Sequence, residues 1–321
     1  MAVYAFLFPG QGSQAPGMAR DLAAAFPAAR EVLEEVDEAL GQHLSRLMAD
    51  GPAEELTLTE NAQPALLAHA MAVVRVLERE GGRPVAGTAA LVAGHSLGEY
   101  AAIAAAGGFA VADAARLLRL RGQAMQRAVA PGVGAMAALL GAELAQVTEI
   151  CAEAAAVPAP AGGHEVIGVA NDNGGGQVVV SGHAGAVDRA IDIAKARGIR
   201  RAMKLPVSAP FHCALMAPAA DVMAEALAKT PPRAPLVPVV ANVTAAKATQ
   251  PADLVRLLVE QVTATVRWRE SIQAMAALGV DTFIELGSGK VLTGLMKRLL
   301  PEARAVAAGT PAEIEELLKI F

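Results

Sequence analysis

Ser96 stands in Gly94-His95-Ser96-Leu97-Gly98, a Gly-x-Ser-x-Gly run. A hydroxyl becomes a useful nucleophile only when it is lifted into the open and a base takes its proton. The run supplies the first condition. Apolar residues 89–93 read as a buried strand, residues 97–106 can begin a helix, and the two glycines permit the sharp turn of a nucleophile elbow between them. The base is sought downstream, in Pro206-Val-Ser-Ala-Pro-Phe-His212-Cys213. Two prolines and no helical spacing predict an ordered, irregular loop there, the kind of segment that often carries functional residues. His212 is therefore the second candidate, and Cys213 reads as a small buried neighbour rather than a reactive thiol.

These residues need a frame. Residues 3–8 read as a buried strand followed by a Pro/Gly loop at 9–17, in which Gln11 can present backbone and side-chain donors. Helices are predicted over 28–40 and, with Thr59 as N-cap, over 64–80, from apolar residues at helical spacing. His69 on the second of these reads as structural. A further helix over 111–129 carries Arg116, Arg119, Arg121 and Arg127. A solvated face accounts for three of them, and spacing alone does not say which one it leaves over.

From residue 131 the pattern changes. Strands at 135–140, 165–171, 177–181 and 201–205 and helices at 143–156 and 184–197 give the order β-α-β-β-α-β of a ferredoxin-like unit. A tight connection is expected at 172–176. The expected fold class is α/β, with a large α/β-hydrolase-like domain of mainly parallel sheet (1–130 and 206–321) and an inserted ferredoxin-like domain (131–205). The remainder alternates again, with helices at 216–229, 253–262, 270–278 and 311–318 and strands at 236–242 and 281–286. A nucleophile at the C-terminal end of a parallel strand lies where open α/β sheets bind ligands.

Two rival motifs fail on their surroundings. Gly10-Gln-Gly-Ser-Gln-Ala15 fits a dinucleotide fingerprint and follows a strand, but Pro16-Gly17 interrupts the helix it requires, and a helix stands where its second strand should be. Gly287-Ser-Gly-Lys290 resembles the end of a phosphate loop, yet Ile284 and Val291 break the pattern on both sides. It reads instead as a helix N-terminus packed on the sheet.

The chain has 321 residues, 54% apolar and 3% aromatic, so its core is built mainly from Ala, Val and Leu. The 27 basic residues are dispersed and the formal charge is −5, which argues against a nucleic-acid partner. No uncharged run near the elbow is long enough to span a membrane, and the start lacks the features of a signal peptide. Cys151 and Cys213 are not spaced as a metal pair and fit a reducing cytoplasm. No metal site is expected.

Read together, several stretches resemble the malonyl-CoA:acyl carrier protein transacylases of type II fatty acid synthesis. They are Phe8-Pro-Gly-Gln-Gly-Ser-Gln14, Gly94-His-Ser-Leu-Gly-Glu99, Arg121-Gly-Gln-Ala-Met-Gln126, His212-Cys-Ala-Leu215, Asn242-Val-Thr244, Gln261 before Val266-Arg-Trp268, and Gly289-Lys-Val-Leu292. The resemblance covers nearly the whole chain. It implies that Ser96 takes malonyl from coenzyme A as an ester and that His212 is its general base. Arg121 would pair with the free carboxylate of malonyl, and the backbone N–H groups of Gln11 and Leu97 would form the oxyanion hole. The backbone carbonyl of Gln261 would orient the histidine in place of a carboxylate. Phe211, Gln63 and Asn171 would shape the pocket, with Phe211 narrowing it against methylmalonyl. Ser288 and Asn173-Gly-Gly-Gly176 replace the usual prolines without touching the implied chemistry.

The implied substrates are malonyl-CoA and the phosphopantetheine thiol of holo acyl carrier protein, with no bound cofactor. The carrier would be a transient partner of a monomeric cytoplasmic enzyme. Same-chemistry alternatives are a trans-acting polyketide acyltransferase and a malonate decarboxylase transacylase subunit. A serine thioesterase or other hydrolase also fits Ser96 and His212. A non-catalytic carrier-binding scaffold fits less well, because it has no use for the serine, histidine and arginine together.

Overall fold

The computed structural model describes residues 2–158 and 163–321. Strand β1 (Tyr4–Phe8) is followed by helices α1 (Pro27–Leu40) and α2 (Thr59–Arg79), then by β2 (Ala89–Gly94), α3 (Gly98–Ala105) and α4 (Val111–Arg127). Next come β3 (Gly134–Leu140), α5 (Leu144–Ala156), β4 (Ile167–Gly174), β5 (Gln177–His183), α6 (Ala184–Ala196) and β6 (Arg201–Lys204). The chain continues through α7 (Ala217–Lys229), β7 (Val239–Val240), β8 (Lys247–Ala248), α8 (Pro251–Gln261) and α9 (Trp268–Ala277). It ends with β9 (Thr282–Leu286), α10 (Val291–Leu299), β10 (Arg304–Ala308) and α11 (Pro311–Leu318).

The fold is mixed α/β with two sheets. The larger has the order β10-β9-β1-β2-β7-β8, parallel except for β8, which folds back on β7. A parallel sheet needs both faces covered, and successive side chains on β1 divide accordingly. Phe6 and Phe8 enter one core with residues of α1, α2 and α4, while Ala5 and Leu7 enter a second with Trp268, Ile272 and Phe283. The smaller sheet is antiparallel, in the order β4-β5-β3-β6, and has its own core against α5 and α6. The smaller sheet is tied to the connection between α8 and α9, where Val266 N donates to Ala170 O (2.9 Å) and Asp172 N donates to Val266 O (3.0 Å).

Four expectations change. Thr59 is the first residue of α2 rather than its cap, and its hydroxyl is engaged elsewhere. Strand β4 runs on through Asp172-Asn173-Gly174, where a tight connection was expected. It bulges twice against β5, and the Asp172 carboxylate is held by Arg269 at 2.8 Å, so tertiary pairing overrides the local preference. The strand expected at 236–242 shrinks to Val239–Val240, and β10, rich in alanine and on the sheet edge, is not predicted at all. Among the described residues no helix is long and apolar enough to cross a membrane.

Candidate active site

Strand β2 ends at Gly94 and α3 begins at Gly98, so the turn between them is tight enough to exclude any side chain at either glycine. A Cβ at Gly94 would lie 1.9 Å from the carbonyl of Gly98, and one at Gly98 would lie 2.3 Å from Phe8 O. Ser96, between them, has φ +53°, a backbone conformation that L residues rarely adopt. Strain of this kind persists only where the surroundings hold it. Here Asn242 does so: its Oδ1 accepts from Ser96 N at 2.8 Å, and its Nδ2 donates to Gly94 O at 2.7 Å.

The loop before α7 brings His212 to this turn, also with a left-handed φ of +58°. Its Nε2 lies 2.7 Å from Ser96 Oγ, and its Nδ1 lies 2.8 Å from the carbonyl oxygen of Gln261. A carbonyl can only accept, so Nδ1 carries the proton and Nε2 is left as the acceptor for the serine hydroxyl. His212 is buried, and burial, followed by the nearby Arg121 charge, pushes its pKa down to about 3. The imidazole is therefore neutral near pH 7 and able to take a proton.

Arg121 is the one arginine of α4 that is buried, at 1% exposure. Its Nη1 donates to Gln63 Oε1 at 2.8 Å, and its Nη2 donates to Gln261 Oε1 at 2.9 Å and to Ser96 Oγ at 3.3 Å. These partners are all neutral, and Nε is buried with no partner among the described residues. The guanidinium also lies over the Tyr100 ring, 5.9 Å from its centroid, and with only amides and a hydroxyl as hydrogen-bond partners it retains charge and donor capacity for an anion.

Gln261, at the C-terminus of α8, serves the site through both backbone and side chain. Its Nε2 donates to Ser96 O and Glu99 Oε2, both at 3.0 Å. The same Glu99 oxygen accepts from Asn242 N at 2.9 Å. Glu99 is 1% exposed, and burial pushes its pKa up to about 7. Sequence reasoning found Gln261 and Asn242 only as parts of a resemblance and gave Glu99 no role. Their contacts span more than 140 positions of chain, a separation at which residue spacing carries no signal.

Leu97 N and Gln11 N have no acceptor among the described residues, so both N–H groups stay free beside the elbow. Gln63 is buried on α2 and contacts Arg121 directly. Asn171 lines a cavity of about 180 Å³ with Gly10, Gln11, His95 and Asn173, between the elbow turn and the smaller sheet. His95 reaches the same cavity, its Nε2 2.8 Å from Asn173 Oδ1, and its ring lies 5.5 Å from that of buried Trp268. Phe211 packs into the main hydrophobic cluster beside His212. Cys213 is buried, with its thiol 3.1 Å from Pro210 O, and His69 is buried against Gly309 O at 2.8 Å. Among the described residues no three His, Cys, Asp or Glu side chains are grouped to hold a metal.

The model of the acyl transferase domain matches residues 5–314. The chain is 46% identical over 321 residues to the malonyl CoA-acyl carrier protein transacylase of Escherichia coli K12, covering all of both chains. A crystal structure of the acyl-carrier-protein S-malonyltransferase from Bartonella henselae superposes with a TM-score of 0.94 at 52% identity, covering 99% of each chain. A solved complex of a type II polyketide acyl-carrier protein with its malonyl-transacylase also matches, at a TM-score of 0.94 and 40% identity over 100% of both chains. On this sequence match and this architecture, the chain belongs to the acyl transferase domain family.

Proposed function

We propose that this protein transfers malonyl from malonyl-CoA to the phosphopantetheine thiol of acyl carrier protein through an ester on Ser96. The observation that carries the reading is the buried Arg121, which has no salt-bridge partner among the described residues and lies within reach of the Ser96–His212 pair. His212 Nε2 takes the Ser96 proton as Oγ attacks the thioester carbon. The oxyanion that forms is met by the N–H groups of Gln11 and Leu97, each worth about 3 to 4 kcal/mol in comparable sites. Coenzyme A leaves as a thiol, taking the proton back from His212. The carrier thiol then gives its proton to the same nitrogen and attacks the ester, and Ser96 recovers its hydrogen.

Arg121 gives the acyl preference. A guanidinium can grip a carboxylate through two parallel hydrogen bonds, which acetyl cannot supply. Pairing would also neutralise the charge that helps to depress the His212 pKa. Substrate carboxylate therefore strengthens the base at the moment the base is needed. Gln261 O orients His212, Phe211 and Gln63 bound the acyl pocket, and Asn171 borders the approach beside Gln11.

The element order β3-α5-β4-β5-α6-β6 and the sheet order support a ferredoxin-like domain at 131–205, inserted in an α/β-hydrolase-like domain at 1–130 and 206–321. The enzyme acts as a cytoplasmic monomer that meets its carrier transiently and uses no bound cofactor. The test is incubation with malonyl-, acetyl- and methylmalonyl-CoA, with and without holo carrier, following protein masses. Carrier-dependent transfer with malonyl preferred supports the reading, and release of free malonate without transfer overturns it. A type II polyketide carrier is the second acceptor to include, because the chain matches a solved complex containing one.

A further inference from the structure

One buried side chain beside the site has no part in the chemistry above. Thr59, at the start of α2, is 1% exposed. Its Oγ1 lies 2.9 Å from Gln11 Oε1 and accepts from Gln63 Nε2 at 3.0 Å. The Gln11 oxygen can only accept, so the threonine hydroxyl donates to it. Gln63 Oε1 in turn accepts from Arg121 Nη1 at 2.8 Å. Four residues from three separate parts of the chain thus form one line of hydrogen bonds, Arg121 to Gln63 to Thr59 to Gln11, with every donor pointing the same way.

The backbone is built to close this line. A Cβ at Gly122 would lie 2.6 Å from Glu60 Cα and 2.7 Å from Thr59 O, so the glycine after Arg121 lets α4 press directly on the start of α2. The Gln63 amide cannot turn over, since a flip would set its NH2 group against Arg121 Nη1, which can only donate.

We infer that Thr59 is a positioning residue that couples the acyl-carboxylate anchor to the oxyanion donor. Its hydroxyl holds the Gln11 side chain, and with it the loop whose N–H meets the oxyanion, in register with Arg121. The inference rests on the roles proposed above for Arg121 and Gln11. A chain of aligned hydrogen bonds strengthens cooperatively, so the Arg121 charge at its head polarises each bond down to Gln11, and a change at Arg121 is felt at the far end. A displacement of about 1 Å at such a donor costs on the order of 100-fold in rate.

The experiment compares Thr59→Val, which keeps the shape and removes the hydroxyl, with Thr59→Ser, which keeps the hydroxyl. Thr59→Val is expected to lower kcat for malonyl transfer by about 10- to 100-fold with little change in KM, and Thr59→Ser to restore it to within about 3-fold. The decisive measurement is a double-mutant cycle with Arg121→Ala, read on acetyl transfer. Thr59→Val should cost much less once Arg121 is gone, because the line has already lost its head. Equal costs in both backgrounds, or a fully active Thr59→Val, would overturn the coupling. If Thr59→Val is too unstable to purify, Gln11→Met breaks the same line from its other end and keeps the Gln11 N–H. Failure of the underlying reading shows separately, as an unchanged malonyl-to-acetyl preference in Arg121→Ala alone.

Discussion

Two strand-turn-helix junctions sit on the same parallel sheet and have opposite fates. At β2–α3 the turn is Gly94-His-Ser-Leu-Gly98, and at β9–α10 it is Gly287-Ser-Gly-Lys290. Both are glycine-rich, both contain a serine, and both present a helix N-terminus where backbone N–H groups and the helix dipole favour negative charge. Each also has a buried glutamate close by. Glu285 lies under α10 and accepts from Leu292 N (3.1 Å), Thr293 N (2.7 Å) and Thr293 Oγ1 (2.7 Å), so the protein has filled this anion site with its own carboxylate. Glu99 instead turns away to Asn242 and Gln261 and leaves Leu97 N unclaimed. What separates an open junction from a sealed one is where the neighbouring carboxylate points, which is why the second loop resembles a phosphate site without the rest of one.

The strongest way to break this contrast is at the open junction. Ser96→Ala should remove the malonyl adduct seen by mass spectrometry and lower transfer by about 10⁴-fold or more. A normal adduct on that variant would mean the elbow is not where the ester forms. Next in size, Arg121→Ala should reduce the malonyl-to-acetyl rate ratio by about 100-fold, the loss expected when a charged, two-point contact disappears.

A pH series sharpens the contrast further. Burial first, and Arg121 second, lower the His212 pKa to about 3, so the neutral base survives as pH falls. The acidic limb of the transfer rate should then lie well below the ordinary histidine value, and Arg121→Ala should move it upward. A wild-type limb near pH 6.5, the usual histidine value, would contradict that. The same lowered value has a stability consequence: the contribution of neutral His212 is complete above the unfolded pKa and is lost as pH falls toward about 3.

The smallest effect on rate is expected at the sealed junction. Glu285→Leu leaves the donors of α10 unmatched and should cost about 2 to 4 kcal/mol by denaturant unfolding. Its kcat/KM, measured well below its melting temperature, should stay within about 3-fold of wild type. A large kinetic defect there would show that the two junctions are not independent.

Those residues of the site that depend on local sequence were legible in it. The elbow at Ser96 follows from a strand, two glycines and a helix in succession, and the loop carrying His212 follows from its prolines. Arg121 was different: its helix was plain, but nothing in the spacing separated it from Arg116 or Arg127, which lie exposed. It is distinguished by the close approach of α4 to α2, a property of tertiary packing. Glu99, Asn242 and the side chain of Gln261 were unreadable for the same reason, since each acts across a long loop of chain. In the fold, β10 escaped because Arg304-Ala-Val-Ala-Ala308 has little alternation and is a strand only because β9 supplies the hydrogen bonds. The polar residues of β4 misled in the opposite direction, because Arg269 and β5 satisfy groups that normally close a turn.

Trp268 gives the molecule a property of practical use. It is the single tryptophan in 321 residues. It is fully buried, its indole N–H has no partner among the described residues, and its ring lies against His95, the neighbour of Ser96 in the chain. All indole fluorescence of this protein therefore originates beside the residue that precedes the nucleophile, and an emission change on mixing with malonyl-CoA is the expected label-free sign of Ser96 loading.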